Sequence, residues 1–415
     1  MDGNNFVSTI GTHKASSHGY VNIMDLNKRP ENFDQFARDC IYFKGDKPCM
    51  PYTQCGATCK CELYSPRGMK ILVIMLSSAA DVIRTTALLK RYKAEKPESH
   101  IILMTDYPEL LQCQGSESFA NEVIRPDAAS IVAMQMEDIG LLINLDTDKR
   151  ACALVNLIPA KVKKGFYFLD GFCHPADQHA LAVYQQILEP PQHGSVISTS
   201  RIRAFFQIAD LEYHNESTVL ATPPFCDDLL NYEGVVVGIH TGTSTAHHTV
   251  KEKSYWETMR WVKVCEMLHN DGMLPVLIGH ETLDRYNSEI ARQCECTYLG
   301  SQSLAEIITT INHCDIIITT QGVVQEAAVA LGKQVVLLHG RASHALEIEQ
   351  TMDNYVYIDG ARLSDILPDV VVCGVEQQLK YLSLAGQLPQ VEKTLINTVS
   401  KARDYYKDNR VPPVI

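Results

Sequence analysis

The chain lacks the marks of several large classes of protein. There is no cationic excess: 37 Lys and Arg stand against 49 Asp and Glu, a formal net charge of -12 over 415 residues, which argues against a general nucleic-acid or anionic-membrane binder. No segment approaches the roughly 18 continuous apolar residues of a membrane span. The opening Met1-Asp-Gly-Asn-Asn-Phe-Val-Ser8 has no basic stretch leading into an apolar core, so no secretory leader is expected. These absences predict a soluble, cytoplasmic chain with no nucleic-acid partner. Two phosphate fingerprints are also missing. Neither G-x-G-x-x-G nor G-x-x-x-x-G-K-[ST] follows an apolar strand, which argues against a dehydrogenase and a P-loop NTPase and leaves a nucleotide held by less stereotyped loops. Short-period repeats and low-complexity tracts are absent, and the length suffices for two ordinary domains, each with its own core.

Cysteine is present but unevenly placed. Of 14 Cys, five (Cys40, Cys49, Cys55, Cys59 and Cys61) crowd into one short polar segment, whereas Cys152, Cys265 and Cys314 lie singly in apolar patterns and read as small core residues. Clustered thiols in a cytosolic chain bind metal more often than they pair. Gly and Pro turns between the five permit a closed tetrahedral site, with Zn and Fe both open because thiolates suit either. Cys55-x3-Cys59-x-Cys61 is not a standard knuckle spacing, so free or redox-active thiols are the alternative. Any four of Cys40, Cys49, Cys55, Cys59 and Cys61 would complete such a site, and the spacing alone leaves the choice open.

Past Pro66 two similar halves follow. Apolar runs at 71–76, 100–105, 122–124, 141–145 and 162–168 alternate with helical patterns that include 81–95 and 150–157. Further runs at 235–240, 274–278, 316–320, 334–339 and 354–358 alternate with helices near 255–269, 283–293, 304–313 and 324–331. Strand and helix in alternation predict two doubly wound parallel α/β domains. The segmentation expected is a Cys-rich extension over 1–67, an N-terminal Rossmann-like domain over 68–215, a C-terminal one over 216–385, and a last helix over 386–415 packing back. The join falls where His-Asn-Glu-Ser and a Pro-Pro pair break the periodicity, around Tyr213 to Pro224.

Chemistry in such sheets gathers at the carboxyl ends of the strands. Asp81 follows the strand that begins at Lys70 and is the leading candidate for a general base; its alternative is a helix cap. After the first strand of the second half, Thr241-Gly242-Thr243-Ser244-Thr245 offers unobstructed N–H groups and hydroxyls, followed by Lys251 and Lys253. Small residues, a helix entrance and a cation can hold a diphosphate. A Thr/Ser-rich turn with solvated lysines is the plainer reading. Glu281, in Gly279-His280-Glu281, can accept from a ribose hydroxyl or serve as a first-turn helix acid.

These residues carry a resemblance. Lys70 to Lys90, with Asp81 and Arg84-Thr85-Thr86-Ala-Leu-Leu, resembles the N-terminal loop of bacterial heptosyltransferases, glycosyltransferase family 9. Asn144-Leu-Asp146-Thr-Asp148-Lys-Arg150 and Lys164-Gly-Phe are similar to that family's second segment. Gly238 to Ser244, Val276 to Glu281, Cys314 to Thr320, Ala327 to Gly340 and the loop to Glu349 are similar to its donor half. The thiol-rich head resembles an extension carried by one branch of these enzymes, and that resemblance implies Cys40, Cys49, Cys59 and Cys61 as the metal ligands, with Cys55 as the spare. The matches run from about Cys40 to about Glu349 in the family's order.

The resemblance implies a GT-B fold, with the acceptor in the N-terminal lobe and a nucleotide-diphosphate sugar, typically ADP-heptose, in the C-terminal lobe. It implies an inverting transfer to a hydroxyl of a glycan or other acceptor, with Asp81 as base, Lys251 or Lys253 facing the diphosphate, Glu281 on the ribose, and Thr241, Gly242, Thr243, Ser244, Gln321 and Gly322 around the donor. No divalent metal is needed for that chemistry, so Zn or Fe at the thiols would be structural or regulatory. The chain also departs from the family. Ala80 stands where Gly is usual, and Gln321 and Glu326 stand where the donor motif presents Asp and His. These changes keep two alternatives in view, another two-lobed nucleotide-sugar enzyme such as an epimerase and a noncatalytic relative that binds a glycan or partner. Oligomeric state stays open.

Overall fold

In the computed structural model, residues 35–111, 119–188, 200–220, 232, 234–242, 256–340, 355–360 and 363–384 are described. The chain divides into two compact units, Met1–Arg67 and Gly68–Ile415.

The first unit is built from turns. Helix α1 (Met50–Cys55) starts after Cys49 with Pro51 in its first turn, and stops at Gly56, whose φ of 67° is left-handed. Cys40 bridges to Pro66, Arg67 donates to the carbonyls of Ile41 and Phe43, and Tyr64 donates to Asp39 at 2.6 Å.

The second unit holds two sheets. The first contains β1 (Lys70–Ile74), β2 (His100–Met104), β3 (Glu122–Ile124), β4 (Ile139–Asn144), β5 (Val162–Leu169) and β6 (Phe172–Pro175), in the order β3-β2-β1-β4-β5-β6. All pairings are parallel except that of β6 with β5. Its helices are α2 (Ala79–Glu95), α3 (Ala128–Gln135), α4 (Lys149–Leu157), α5 (Gln178–Leu188) and α6 (Arg201–Ala209). The second sheet, wholly parallel, contains β7 (Val236–His240), β8 (Leu274–Ile278), β9 (Thr297–Tyr298), β10 (Ile316–Thr319), β11 (Gln334–Gly340) and β12 (Tyr355–Gly360), in the order β12-β11-β10-β7-β8-β9. It carries α7 (Thr258–Asn270), α8 (Glu281–Ala291), α9 (Leu304–His313), α10 (Val323–Ala330) and α11 (Pro368–Leu384). Counted within its own lobe, each sheet has the order 3-2-1-4-5-6, so strand order reverses beside β1 in one and beside β7 in the other. Those are the positions where doubly wound sheets open a crevice.

Strand periodicity explains the burial. Ile71, Val73 and Met75 face one apolar cluster, while Leu72, Ile74 and Leu76 face another with Met134, Leu154 and Ile158. Both faces of the strand are covered, so its sequence is continuously apolar rather than alternating. The second sheet repeats the pattern: Val237 and Ile239 pack with Trp261, Cys265 and Val375, while Val236 and Ile317 face the opposite side. That opposite side belongs to the same cluster as Val82, Ile83 and Phe205 of the first lobe. One apolar core therefore runs between the lobes, with α2 and α10 packed together.

The predicted strands are all present within a residue or two. The periodicity does not mark the short strand β9, the antiparallel β6 or helices α1, α3, α5, α6 and α11. The expected helix after residue 386, much of the loop after Gly340 and the end of the expected join, 221–224, lie outside the described residues.

Candidate functional site

The mouth of the first lobe is fixed by Asp146, just past β4. Its carboxylate accepts from the N–H groups of Leu76 (3.0 Å) and Ser77 (2.7 Å), from Ser77 Oγ (2.9 Å) and from the N–H of Asp148 (2.8 Å). The first three bonds tie the loop after β1 to the end of its neighbour across the switch point, and the fourth fixes the turn into α4. Beneath it, Asn144 Nδ2 donates to the carbonyls of Asp146 and Phe166. Gly165 permits this close approach: its φ is +89°, and a Cβ there would stand 1.8 Å from the Asn144 carbonyl oxygen.

The pinned loop delivers α2. Ser78 is its N-cap, accepting from the Asp81 N–H at 3.2 Å, so Asp81 is not the cap. Ala80 sits in the first helical turn, where a Cβ is accommodated. Asp81 is 3% exposed, and its carboxylate is held from two directions. Arg84, one turn along α2, donates to one oxygen at 2.8 Å; Arg201, at the start of α6, donates to the other through Nε (3.2 Å) and an Nη (3.0 Å). Burial alone would raise the Asp81 carboxyl, but Arg201 and Arg84 outweigh it and hold it below the ordinary carboxylate range. The second Nη of Arg84 donates to Glu326 Oε1 at 2.8 Å, from one lobe to the other. Two arginines and two carboxylates thus form a chain across the packed faces of α2, α6 and α10, with formal charges that cancel.

Glu326 lies in the first turn of α10, whose N-cap is Gly322 at φ 144°. A Cβ at Gly322 would meet no atom within 4 Å, so the backbone there borders open space. Thr320 Oγ1 and Gln321 Nε2, leading into this turn, are buried with no hydrogen-bond partner among the described residues. Orphaned donors of this kind cost about 1–3 kcal/mol each and suit a polar ligand. Beside them His240 ends β7, fully buried and 3.4 Å from Thr319 Oγ1; desolvation, assisted by His280, lowers its pKa to about 4 and keeps the ring neutral. Thr241 Oγ1 donates to Asn287 Oδ1 at 2.6 Å.

Of the residues predicted to hold a donor, Thr241, Gly242, Gln321 and Gly322 lie at the carboxyl ends of the adjacent strands β7 and β10. Glu281 is exposed in the first turn of α8, after β8. Thr243, Ser244, Lys251 and Lys253 lie outside the described residues. No pattern in the sequence marks Arg201, and Arg84 stands out only as part of Arg84-Thr85-Thr86. An arginine opening an amphipathic helix carries no local sign of its partner, which is 120 residues away.

The thiols divide differently from expectation. Cys40, Cys49, Cys55, Cys59 and Cys61 are free and half-buried or exposed. Among the described residues, the set of three ligand atoms gathered within 4.8 Å is instead Cys265, Cys294 and Cys296. Cys265, read from sequence as a solitary core residue, is buried but not solitary. Hydrogen bonding with Cys265 and Cys296 outweighs burial and brings the Cys294 thiol down to about 7. Cys294-Glu-Cys296 was visible in the sequence as a close pair; Cys265 was not linked to it.

No described helix is long and apolar enough to cross a membrane, and no curated protein matches the chain. Among solved structures it is similar to a family 9 glycosyl transferase from Veillonella parvula, at 16% identity, with 76% of this chain and 99% of that one covered and a TM-score of 0.58. It is likewise similar to E. coli heptosyltransferase WaaC with ADP, at 15% identity, 75% and 100% coverage and a TM-score of 0.55. E. coli ADP-heptose lps heptosyltransferase II gives 17%, 77% and 100%, and 0.55. Those likenesses agree with the GT-B arrangement of two facing Rossmann-like lobes. The family model for glycosyltransferase family 9 (heptosyltransferase) matches residues 133–354, more than half of the chain and parts of both lobes. The chain therefore belongs to glycosyltransferase family 9, the heptosyltransferases.

Proposed function

We propose that this glycosyltransferase moves a sugar from a nucleoside-diphosphate donor, ADP-heptose in the first instance, to a hydroxyl of a glycan or similar acceptor, with inversion at the anomeric carbon. The observation that carries the reading is Arg84, which joins the candidate base Asp81 to the first turn of α10 in the donor lobe. In the reaction, the acceptor oxygen bonds to the anomeric carbon as its proton passes to Asp81, and the bond from that carbon to the diphosphate breaks with its electrons leaving on phosphate. General-base help of this type is worth about 10²–10⁴-fold, and fixed cations stabilise the departing charge.

A diphosphate arriving at the α10 turn competes with Asp81 and Glu326 for Arg84 and Arg201. Drawing the arginines onto phosphate leaves Asp81 more basic when the acceptor is in place. Thr241, Gly242, Gln321 and Gly322 line the donor side in this reading, with Thr243, Ser244, Lys251 and Lys253 from the following loop and Glu281 toward the ribose. The ADP and ADP-heptose named for the two E. coli neighbours make adenosine diphosphate the first ligand to try. The Cys40, Cys49, Cys59 and Cys61 segment is proposed as a separate structural Zn or Fe site.

The test is binding and turnover with the full chain. ADP should raise its melting temperature, since a ligand bound by the native state alone stabilises it, and ADP-heptose should be consumed in the presence of acceptor. The Lys251→Ala, Lys253→Ala double variant should bind ADP about tenfold or more weakly, because charge-assisted phosphate contacts are worth about 1.5–3 kcal/mol. Stabilisation by other nucleoside diphosphates but not ADP would move the donor to another nucleotide sugar. Silence toward all of them favours the noncatalytic reading, for which the tie of Asp81 to two arginines is the supporting observation.

A further inference from the structure

Cys265, Cys294 and Cys296 lie away from the cleft, at the β9 edge of the second sheet. Cys265 projects from α7; the other two flank Glu295 in the turn between α8 and β9. Their sulfurs all fall within 4.8 Å of one another, and those of Cys294 and Cys296 are 3.8 Å apart. A tetrahedral zinc with Zn–S bonds of about 2.3 Å holds its sulfurs about 3.8 Å apart, so the Cys294–Cys296 spacing already matches a metal-bound pair and is well beyond the roughly 2.05 Å of a disulfide, with Cys265 within reach of both. The surroundings also fit. Cys265 is buried, whereas Cys294 and Cys296 are partly exposed, giving an ion a route in and solvent a place in its coordination. His269 Nε2 lies 2.7 Å from Glu295 Oε2, so the last turn of α7 also touches the residue between the two cysteines.

We propose that Cys265, Cys294 and Cys296 form a binding site for one thiophilic metal ion, Zn(II) in the first instance, that clamps α7 to the β9 edge of the donor lobe. Each Zn–S bond formed displaces one thiol proton to solvent, and the fourth position is taken by water. The site is independent of the sugar-transfer reading and of the N-terminal thiols.

The experiment uses the full chain, reduced and stripped of metal, in parallel with Cys40→Ser, Cys49→Ser and Cys294→Ser, Cys296→Ser double variants. Zn(II) is added and alkylation by iodoacetamide is followed peptide by peptide. One equivalent bound at this site should slow modification of Cys294 and Cys296 by tenfold or more in the full chain and in the Cys40→Ser, Cys49→Ser variant alike. Cobalt substitution should give thiolate-to-metal charge-transfer absorption that survives in that variant. In the Cys294→Ser, Cys296→Ser variant it should fall by the share of one site. Unchanged alkylation of Cys294 with and without Zn(II), or equal metal stoichiometry in the full chain and the Cys294→Ser, Cys296→Ser variant, would overturn the site, as would isolation of the reduced chain with these sulfurs promptly reoxidised to a disulfide in the presence of Zn(II). If that variant fails to fold, the protection measured on the unaltered chain decides alone.

Discussion

Arg84 and Glu326, 242 residues apart, meet at 2.8 Å with side chains only 4% and 7% exposed. The pair links the helix after the first strand of one lobe to the helix after the fourth strand of the other. By its resemblance to the family's donor motif, Glu326 stands where a histidine is usual, and a protonated histidine there would repel Arg84. An acid at 326 therefore makes the inter-lobe contact electrostatically possible.

Breaking this pair on one side should be costly and removing both sides should not. Loss of one member of a buried pair costs about 3–5 kcal/mol, whereas apolar replacement of both is often near neutral. We expect Glu326→Met to lower stability by about 3 kcal/mol or less, softened because Arg84 keeps Asp81, and the Arg84→Met, Glu326→Met double variant to recover much of the loss seen in Arg84→Met alone. Urea unfolding of the four members of the cycle gives the coupling; purely additive effects would show that the pair contributes nothing.

Asp81→Asn should cut transfer by about 10²-fold or more, the usual scale for a general base, with nucleotide binding retained. Because Ser78 rather than Asp81 caps α2, the variant should stay folded, weakened by the loss of an anion between two arginines. Steady-state rates with folding checked by circular dichroism decide the matter, and full activity in folded Asp81→Asn would remove it from the chemistry.

Acid stability should carry two separable signatures. The Asp81 carboxyl is depressed in the fold, so its contribution is present above the unfolded carboxylate value of about 3.9 and is lost as pH falls through the lower folded value. His240 is depressed to about 4, so the unfolded chain takes up its proton first, near pH 6.5, and stability falls between about 6.5 and 4 by up to about 1.4 kcal/mol per unit. A His240→Gln variant should flatten the upper limb and Asp81→Asn the lower one. Denaturant titrations from about pH 2 to 7.5 read both, and an unchanged slope between about 4 and 6.5 in His240→Gln would contradict a buried neutral ring.

At the N-terminal thiols, protein purified without a histidine tag should carry one Zn or Fe that is lost in Cys40→Ser, Cys49→Ser, counted by elemental analysis apart from any ion at Cys265. The segment is polar and short of apolar surface, so metal binding would supply folding free energy there. Equal metal content in the parent and the variant would leave these cysteines as free thiols.

The sequence by itself determined the strands, because a β-strand buried on both faces must be continuously apolar, as Ile71 to Leu76 and Val235 to Ile239 are, and because Ser78, Asp148 and Ser303 announce their helices through local capping bonds. It also set the position of Asp81, since a carboxylate after the first strand lies at a switch point whatever its partners. Tertiary structure alone decided what Asp81 is bound to. Arg201 and Glu326 reach the α2 end from 120 and 242 residues away, and no periodicity or spacing encodes a charge pairing over that distance. The same holds for the thiols. Five cysteines close in sequence are not gathered into a three-ligand set, whereas Cys265 is brought to Cys294 and Cys296 because α7 packs beside α8, which leads into the turn that carries them. Nearness along the chain is set by sequence, but nearness in space is set by how apolar faces are buried.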